Sequence, residues 1–221
     1  MTPLKISATI EGQIMGPQTR LDGLLASVIA QQLGMPPIGA QHGDELDRDL
    51  ARLREAVAQL IKLDPSGFFW ASDAQFEVEE HERRFVNRRF PVDRVVSLGS
   101  DKVKRVELGT GLSKSYRIPT RACFLRDDSI SWFVTGNQSQ IVPLLASVTH
   151  LGKKRSLGLG KVLQWHYKPI EPWQGFPIMR DGRPLRALPT DYQGLVEFRT
   201  AMSVLSFPYW RFQDERPCAV P

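Results

Sequence analysis

The chain has 221 residues, of which 42% are hydrophobic and 24% charged, and its formal net charge is +5. These proportions are typical of a folded domain and exclude a disordered chain. The sequence has no apolar run near the roughly 18 residues of a membrane span and no basic-then-apolar leader pattern, so we expect a cytoplasmic protein without a membrane partner. Cys123 and Cys218 match no metal spacing and are expected to be reduced thiols.

The N-terminal part of the sequence predicts a strand followed by two helices. Apolar and polar residues alternate over 4–10, as in a half-buried strand. Apolar residues at a 3.6-residue period over 21–33 predict a helix, and Thr19 and Asp22 have the spacing of a capping box at its start. A second amphipathic helix is predicted over 44–61.

The later elements complete an α+β pattern. Residues 68–78 predict a short paired strand unit, and the β-rich runs 121–125 and 130–134 predict a hairpin about a polar turn. A short helical face over 141–148 precedes a strand over 162–167. This order predicts a ferredoxin-like (RRM-like) fold with a helical insertion after the first helix.

A strongly basic segment separates the two halves of this pattern. Residues 81–121 contain eleven Lys and Arg residues against four Asp and Glu, an excess larger than the net charge of the whole chain. Arginine binds phosphates through a two-pronged fork and stacks on bases, and Phe85 or Phe90 offers a stacking face. In the alternative, both phenylalanines are core residues and the arginines only solvate a strand edge. The candidate RNA contacts are Arg83, Arg84, Arg88, Arg89, Arg117 and Arg121.

A glycine-rich basic loop, here called the glycine loop, covers residues 152–161. Its glycines permit unusual backbone angles and let a ligand approach the main chain, and four basic side chains suit phosphates. Val162 after Lys161 excludes a nucleotide P-loop, and Leu163 three residues after Gly160 excludes a dinucleotide fingerprint. A flexible basic turn is the alternative.

Two segments resemble the RAMP superfamily of CRISPR-associated proteins. One is the glycine loop, because it lies between the last helix and last strand of the predicted ferredoxin-like unit. The other is Arg20–Ala26 (Arg-Leu-Asp-Gly-Leu-Leu-Ala), which is similar to the segment that opens the first helix in that superfamily. With its length and its closing residues 208–210 and 217–218, the chain looks like the small Cas-five-like subunit of type IV (Csf) effector complexes.

The resemblance implies a non-catalytic RNA-binding subunit. Such a subunit grips the 5′ handle of the crRNA, caps the filament of backbone RAMP subunits and docks the large subunit. It implies no cofactor, and target DNA is a further candidate partner. Arg20, a further candidate RNA contact, would shape the neighbouring surface together with Asp22, which would cap its helix rather than contact RNA. The implied handle-binding residues are Lys153, Lys154, Arg155, Ser156, Gly158, Gly160 and Lys161.

The expected organisation is a single RAMP-type domain over 1–221. Residues 1–80 and 121–170 form its ferredoxin-like core, and the Pro- and aromatic-rich residues 171–221 form a C-terminal extension. The assignment of 81–120 to a thumb-like RNA clamp rests on its charge and not on a motif.

Two other functions stay open. Related superfamily members are metal-independent crRNA-processing endoribonucleases, and His42, in a polar loop after the first helix, is the candidate general base. A protein–protein scaffold whose basic segment binds an acidic partner is the third hypothesis. Metal chemistry is not expected, because Asp127 and Asp128 are explained by their turn.

Overall fold

The computed structural model describes residues 1–35, 43–88, 116–209 and 211–221. Over these ranges the chain is a mixed α and β fold with small antiparallel sheets and three helices, none of them long and apolar enough to cross a membrane. The helices are α1 (Leu21–Gln32), α2 (Asp44–Leu60) and α3 (Gln138–Ala146). The strands are β1 (Thr2–Glu11), β2 (Gln13–Ile14), β3 (Val78–Arg88), β4 (Tyr116–Leu125), β5 (Ser129–Gly136), β6 (Lys161–Pro169), β7 (Met179–Arg180), β8 (Arg183–Pro184), β9 (Leu188–Pro189), β10 (Arg199–Ser203) and β11 (Arg216–Val220).

The main core lies between the sheet β5–β1–β6 and the three helices. Successive side chains of β1 point to opposite faces, so Leu4, Ile6, Ala8 and Ile10 are all buried on the helix side. Trp132 of β5 lies opposite Ile6 in the register and is also fully buried. The predicted first strand and three predicted helices are thus confirmed.

The predicted strand unit over 68–78 does not pair with itself. Isolated bridges join Ala71 to Val134 and Gln75 to Ser131, so this segment runs along the free edge of β5. Main-chain hydrogen bonds from Ser72 to Phe133 and between Gln75 and Ser131 reinforce the contact. Residues 71–75 pair with β5, which lies about sixty residues later in the sequence. The local sequence pattern does not indicate a pairing partner at that distance.

The predicted hairpin of 121–125 with 130–134 is wrong. A 3₁₀ turn over Arg126–Asp128 joins β4 to β5, with φ of 57° at Asp127 and 47° at Asp128. The turn is where the sequence predicts it, but β4 pairs with β3 and β2, whereas β5 pairs with β1. The chain therefore passes from one sheet to another at this turn. Strand β4 pairs along its whole length with β3 and not with β5.

Strands β3 and β4 form a two-stranded antiparallel unit, here called the arm. Its register runs from Val78 opposite Leu125 to Arg88 opposite Tyr116. Most side chains from Glu79 to Asn87 are exposed. The predicted basic insertion over 81–120 therefore includes most of the arm, together with residues 89–115, which lie outside the described ranges.

The C-terminal extension forms a second, smaller core. Phe68 from the first half of the chain packs there with Ile178, Leu188, Leu205 and Cys218. The strands of the extension form the sheet β9–β11–β10 and the β7–β8 pair.

A buried ionic cluster joins the extension to α1. Arg186 is 1% exposed and donates hydrogen bonds to the main-chain oxygens of Phe69, Ala71 and Leu205. Its Nη2 lies 3.9 Å from Oδ2 of Asp22, which is equally buried and accepts a hydrogen bond from the Tyr209 hydroxyl. We call Asp22, Arg186 and Tyr209 the ionic cluster.

The environment of the cluster favours a protonated phenol. Burial raises the pKa of the Tyr209 phenol well above its ordinary value, and the neighbouring Asp22 carboxylate raises it further. Arg20 lies beside the cluster, with its guanidinium 4.1 Å from the centre of the Tyr209 ring and its Nε 2.9 Å from Asp73 Oδ1. Burial raises the pKa of the Asp73 carboxyl, against the attraction of Arg20.

At the start of α1, contacts of the ionic cluster take the place of the predicted capping box. Arg20 is the N-cap residue and makes no side-chain cap hydrogen bond. Asp22 accepts a hydrogen bond from the adjacent N–H of Gly23, but its second oxygen accepts from Tyr209. Asp22 therefore satisfies one first-turn amide of its helix, as expected, while its second oxygen makes a tertiary contact that the sequence did not predict.

We predict that Asp22→Asn lowers the free energy of unfolding by about 3–5 kcal/mol, because it removes the carboxylate that pairs with the buried Arg186 charge at 3.9 Å. The measurement is urea denaturation. Glu197→Gln is the control, since Glu197 pairs with Arg183 at 2.7 Å on the surface, where both side chains are about 70% exposed. That change should lower the free energy by less than about 1 kcal/mol. Equal losses in the two variants would contradict the importance of the buried contact.

Candidate nucleic-acid interface

The glycine loop packs against the chain's own backbone. Gly152 and Gly160 have φ of 78° and 69°. A Cβ atom would lie 2.5 Å from Met15 O at the first and 2.1 Å from a main-chain oxygen at the second. The N–H groups of Lys153 and Gly160 donate to Met15 O at 2.6 Å and Gln13 O at 2.8 Å. The space beside these glycines is therefore filled by main-chain oxygens of the chain itself, Met15 O at Gly152 and Leu151 O at Gly160, and the N–H of Gly160 is used within the chain.

The side chains of the loop, in contrast, face outward. Lys153, Lys154, Arg155 and Ser156 are all exposed. Lys154 itself has φ of 58°, directly before the 3₁₀ turn that contains Arg155 and Ser156. Lys161 differs, because its Nζ lies 2.6 Å from Glu11 Oε2. The loop thus offers three adjacent cations and a hydroxyl to solvent, and a fourth cation that is already paired.

A groove of about 430 Å³ separates the glycine loop from α1. Gly23 on α1 lines one side, Lys153 and Arg155 line the other, and Tyr209 closes one end. A neighbouring groove of about 300 Å³ continues along α1 past Ser27, which lines both. The sequence did not single out this wall of α1, although small residues four apart, Gly23 and Ser27, are the available signal.

Arg20 lies at this groove but its charge is already engaged. Its Nη1 donates to Val204 O at 2.9 Å, in addition to the ion pair with Asp73 and the contact with the Tyr209 ring. Its side chain is 20% exposed. The implied role of Arg20 and Asp22 in shaping this surface has a structural basis, because both hold Tyr209 in place.

One face of the arm is cationic. Residues directly opposite in a strand pair share a face, as do residues two apart in one strand. Arg83 lies opposite Arg121, and Asn87 lies opposite Arg117, further along the same face. Phe85, between them, is 43% exposed. We call Arg83, Phe85, Arg117 and Arg121 the cationic face.

The arginines of this face surround the phenylalanine. The guanidinium carbon of Arg117 is 4.0 Å from the centre of the Phe85 ring, and that of Arg83 is 5.4 Å from it. Such contacts stabilise an arginine by roughly 0.5–1 kcal/mol at an exposed site. The alternative that Phe85 is a core residue is wrong, because its ring is exposed among arginines.

The other face of the arm has a mixed charge. Arg84 lies there, opposite Thr120, and its Nε is 3.5 Å from Glu82 Oε1. Gln13 of β2 donates a hydrogen bond to Glu82 as well. Arg84 was a candidate equal to Arg83 in the sequence, but strand geometry places the two on opposite faces.

Strand β2 connects the glycine loop to the arm. On one side Gln13 and Met15 accept hydrogen bonds from the loop, and on the other side Ile14 lies opposite Cys123 of β4. Since neighbouring strands are roughly 4.8 Å apart, the loop backbone lies about 10 Å from β4. Arg121 is two residues from Cys123 along β4. The two sets of cations, well separated in sequence, thus belong to neighbouring parts of one unit.

Several candidates contribute nothing further to this geometry. His42 and Arg89 lie outside the described residues, and the side chain of Arg88 is not described. His150 lines the groove, with its Nδ1 3.0 Å from Thr149 Oγ1, and His166 contacts Thr9 Oγ1 at 3.1 Å. Within the described ranges, no group of three or more His, Cys, Asp or Glu side chains is arranged to hold a metal ion.

Comparison with solved structures gives 24 matching chains, two of which illustrate the similarity. No family model and no curated protein matches the chain. A CRISPR protein from Archaeoglobus fulgidus is 12% identical, with a TM-score of 0.36, and a Csm1–Csm4 cassette in complex with pppApApA is 14% identical, with a TM-score of 0.40. Each match covers 100% of this chain and 86% of the other. Because both superpositions are loose, we draw no functional conclusion from them.

We predict that Gly160→Ala destabilises the protein far more than Gly158→Ala. Both glycines have positive φ, but an added Cβ meets main-chain atoms at Gly160 and nothing within 4 Å at Gly158. We expect a loss of about 1–2 kcal/mol at Gly158 from backbone strain alone. Overpacking should add about 1–3 kcal/mol at Gly160. Urea denaturation measures both, and equal losses would contradict the close contact between Gly160 and the main chain of Leu151.

Proposed function

We propose that the chain is a non-catalytic RNA-binding subunit of a CRISPR ribonucleoprotein of type IV. In this role it grips the 5′ handle of the crRNA in the cytoplasm, caps the filament of backbone RAMP subunits and docks the large subunit. Target DNA is a further candidate partner. The observation that carries the proposal is the cationic face, where Arg83 and Arg121 stand opposite each other beside Arg117 and the exposed Phe85.

The arrangement of these arginines favours an anionic ligand. Like charges directly opposite in a strand pair repel each other and destabilise the pair. Arg83 and Arg121 have this relation, so the arm on its own gains nothing from having both. A phosphate backbone between them would remove the repulsion and would accept the forked hydrogen bonds of arginine.

The exposed aromatic ring favours unpaired RNA over a duplex. Single-stranded RNA is bound largely by stacking of its bases on aromatic and guanidinium planes, together with phosphate contacts. Phe85 with Arg117 offers such a plane, and Lys153, Lys154 and Arg155 offer phosphate contacts nearby. The side chains, and not the glycine amides, would make the contacts of the glycine loop.

The topology also supports a ferredoxin-like RAMP domain. In the order β6–β1–β5, the first strand is central, and residues 71–75 continue the sheet beyond β5 as an irregular edge. With α1 and α3 packed against the core of this sheet, this order supports our proposal of a β-α-β-β-α-β arrangement, with α2 as an insertion. We propose the arm as the thumb-like clamp of that domain.

We predict that the double variant Arg83→Gln with Arg121→Gln binds repeat RNA more weakly and with a smaller salt dependence. The slope of log K against log salt should fall by roughly 0.7 for each phosphate that the variant no longer neutralises. Arg84→Gln is the matched control, because Arg84 lies on the same strand but on the mixed face with Glu82. Its affinity should stay within about twofold of the unmodified chain. If both variants weakened RNA binding equally, RNA binding would not depend on the cationic face more than on the mixed face of the arm.

We predict that the purified chain shifts its cognate repeat RNA on a gel in EDTA and leaves it intact. Replacing Lys153, Lys154 and Arg155 together with Gln should weaken the shift and flatten its salt dependence. Cleavage at one site that His42→Ala removes would overturn the non-catalytic role and establish an endoribonuclease. A chain that binds no RNA at low salt would favour the protein scaffold.

A further inference from the structure

We propose that the edge of β10 with which no described strand pairs, together with the apolar groove at its Arg199 end, docks an extended segment of a partner protein, which adds a fourth strand to the sheet β9–β11–β10. This surface is separate from the cationic face and from the glycine loop. The inference relies on the proposed function only for the complex in which it is tested.

The edge of β10 lacks the usual protection. β10 pairs with β11 on one side, in a regular register from Arg199 opposite Val220 to Ser203 opposite Arg216. Its residues from Arg199 to Met202 are all exposed. Natural edge strands are commonly protected by charged side chains, proline or a bulge, and apart from the charge of Arg199 residues 199–203 contain none of these. Such an edge presents main-chain groups that a further strand can pair with.

Exposed apolar side chains concentrate around this edge. Val196 is 81% exposed, Met202 is 59% exposed and Phe198 is 39% exposed, all within seven residues. A groove of about 420 Å³ lies at the Arg199 end of β10. Phe198, Leu185 and Val220 are among its lining residues, whereas Val196 and Met202 are not. Apolar groups gathered in one exposed place are typical of a protein-binding surface.

The charges at the rim of the groove are paired within the chain. Arg183 lies 2.7 Å from Glu197, and Arg199 donates a hydrogen bond to the main-chain oxygen of Pro221. Apolar side chains surrounded by polar groups that are already paired within the chain are typical of a protein–protein interface. It does not suit a phosphate backbone, which needs uncompensated cations. The occupant is therefore a protein segment with apolar side chains at alternate positions, and not RNA.

A second copy of this chain is a poor occupant. Five residues of strand are roughly 17 Å long. Pairing two copies of β10 along this length would bury far less than the roughly 800 Å² per partner of a stable interface. A segment of another subunit avoids this limit, because the added strand is then one part of a larger contact between the two proteins.

The test uses the complex obtained by coexpressing the chain with its crRNA and the effector proteins encoded beside its gene. Main-chain amides of residues 199–203 should exchange hydrogen at least tenfold more slowly in the complex than in the free chain. The double variant Val196→Glu with Met202→Glu should enter the complex at least tenfold less well. Leu163→Glu is the matched control, because Leu163 is 57% exposed on β6, away from this sheet. Free chains of both variants should bind repeat RNA like the unmodified chain.

The outcomes separate the two proposals. A complex in which β10 exchanges as fast as in the free chain, or which accepts the double variant normally, overturns the docking site and leaves the RNA-binding role intact. A chain that neither binds RNA nor enters a complex overturns both. Dimerisation of the purified chain that the double variant abolishes would replace the partner segment with a second copy.

Discussion

A single buried carboxylate, Asp22, joins α1 to the C-terminal extension. It lies on α1 beside Gly23, which lines the groove next to the glycine loop, and it meets Arg186 and Tyr209 from the C-terminal extension. Arg186 in turn donates to main-chain oxygens on both sides of the junction. A charge that is buried in this way must be paired and hydrogen-bonded, which restricts the extension to one position. The wall of the groove formed by Tyr209 therefore depends on the ionic cluster, although no member of the cluster needs to touch a ligand.

The arm illustrates a different constraint, in which strand geometry selects among similar residues. Arg83 and Arg84 are neighbours in sequence, yet one joins the cationic face and the other pairs with Glu82. The cationic face places like charges opposite each other, an arrangement with a stability penalty that a ligand of opposite charge would offset. The edge of β10 has no such charge pattern. The chain thus carries two surfaces of contrasting chemistry, one suited to a polyanion and one to an apolar strand.

Local pattern predicted the elements more successfully than their partners. The alternation in residues 4–10 and the helical periods of α1 and α2 depend on residues close in sequence, and all three elements form as predicted. The polar turn at Asp127 and Asp128 was also placed correctly. The pairing of β4 with β3 was not predicted, because 27 residues separate the two strands and nothing in either strand specifies its neighbour. The segment around Gln75 was misassigned for the same reason, since its partner is β5.

The sequence by itself determined the positions of most helices and strands, the concentration of positive charge and the outward-facing cations of the glycine loop. These properties follow from periodicity and composition, which are local. Only the tertiary structure decided that Gly152 and Gly160 pack closely on the chain's own backbone, that Arg20 and Asp22 are held inside the chain, and that the arm separates its arginines between two faces. Each of these outcomes depends on which distant groups meet. A glycine, a carboxylate or an arginine has the same local signal whether its partner is a ligand, a buried counter-charge or the backbone of another strand.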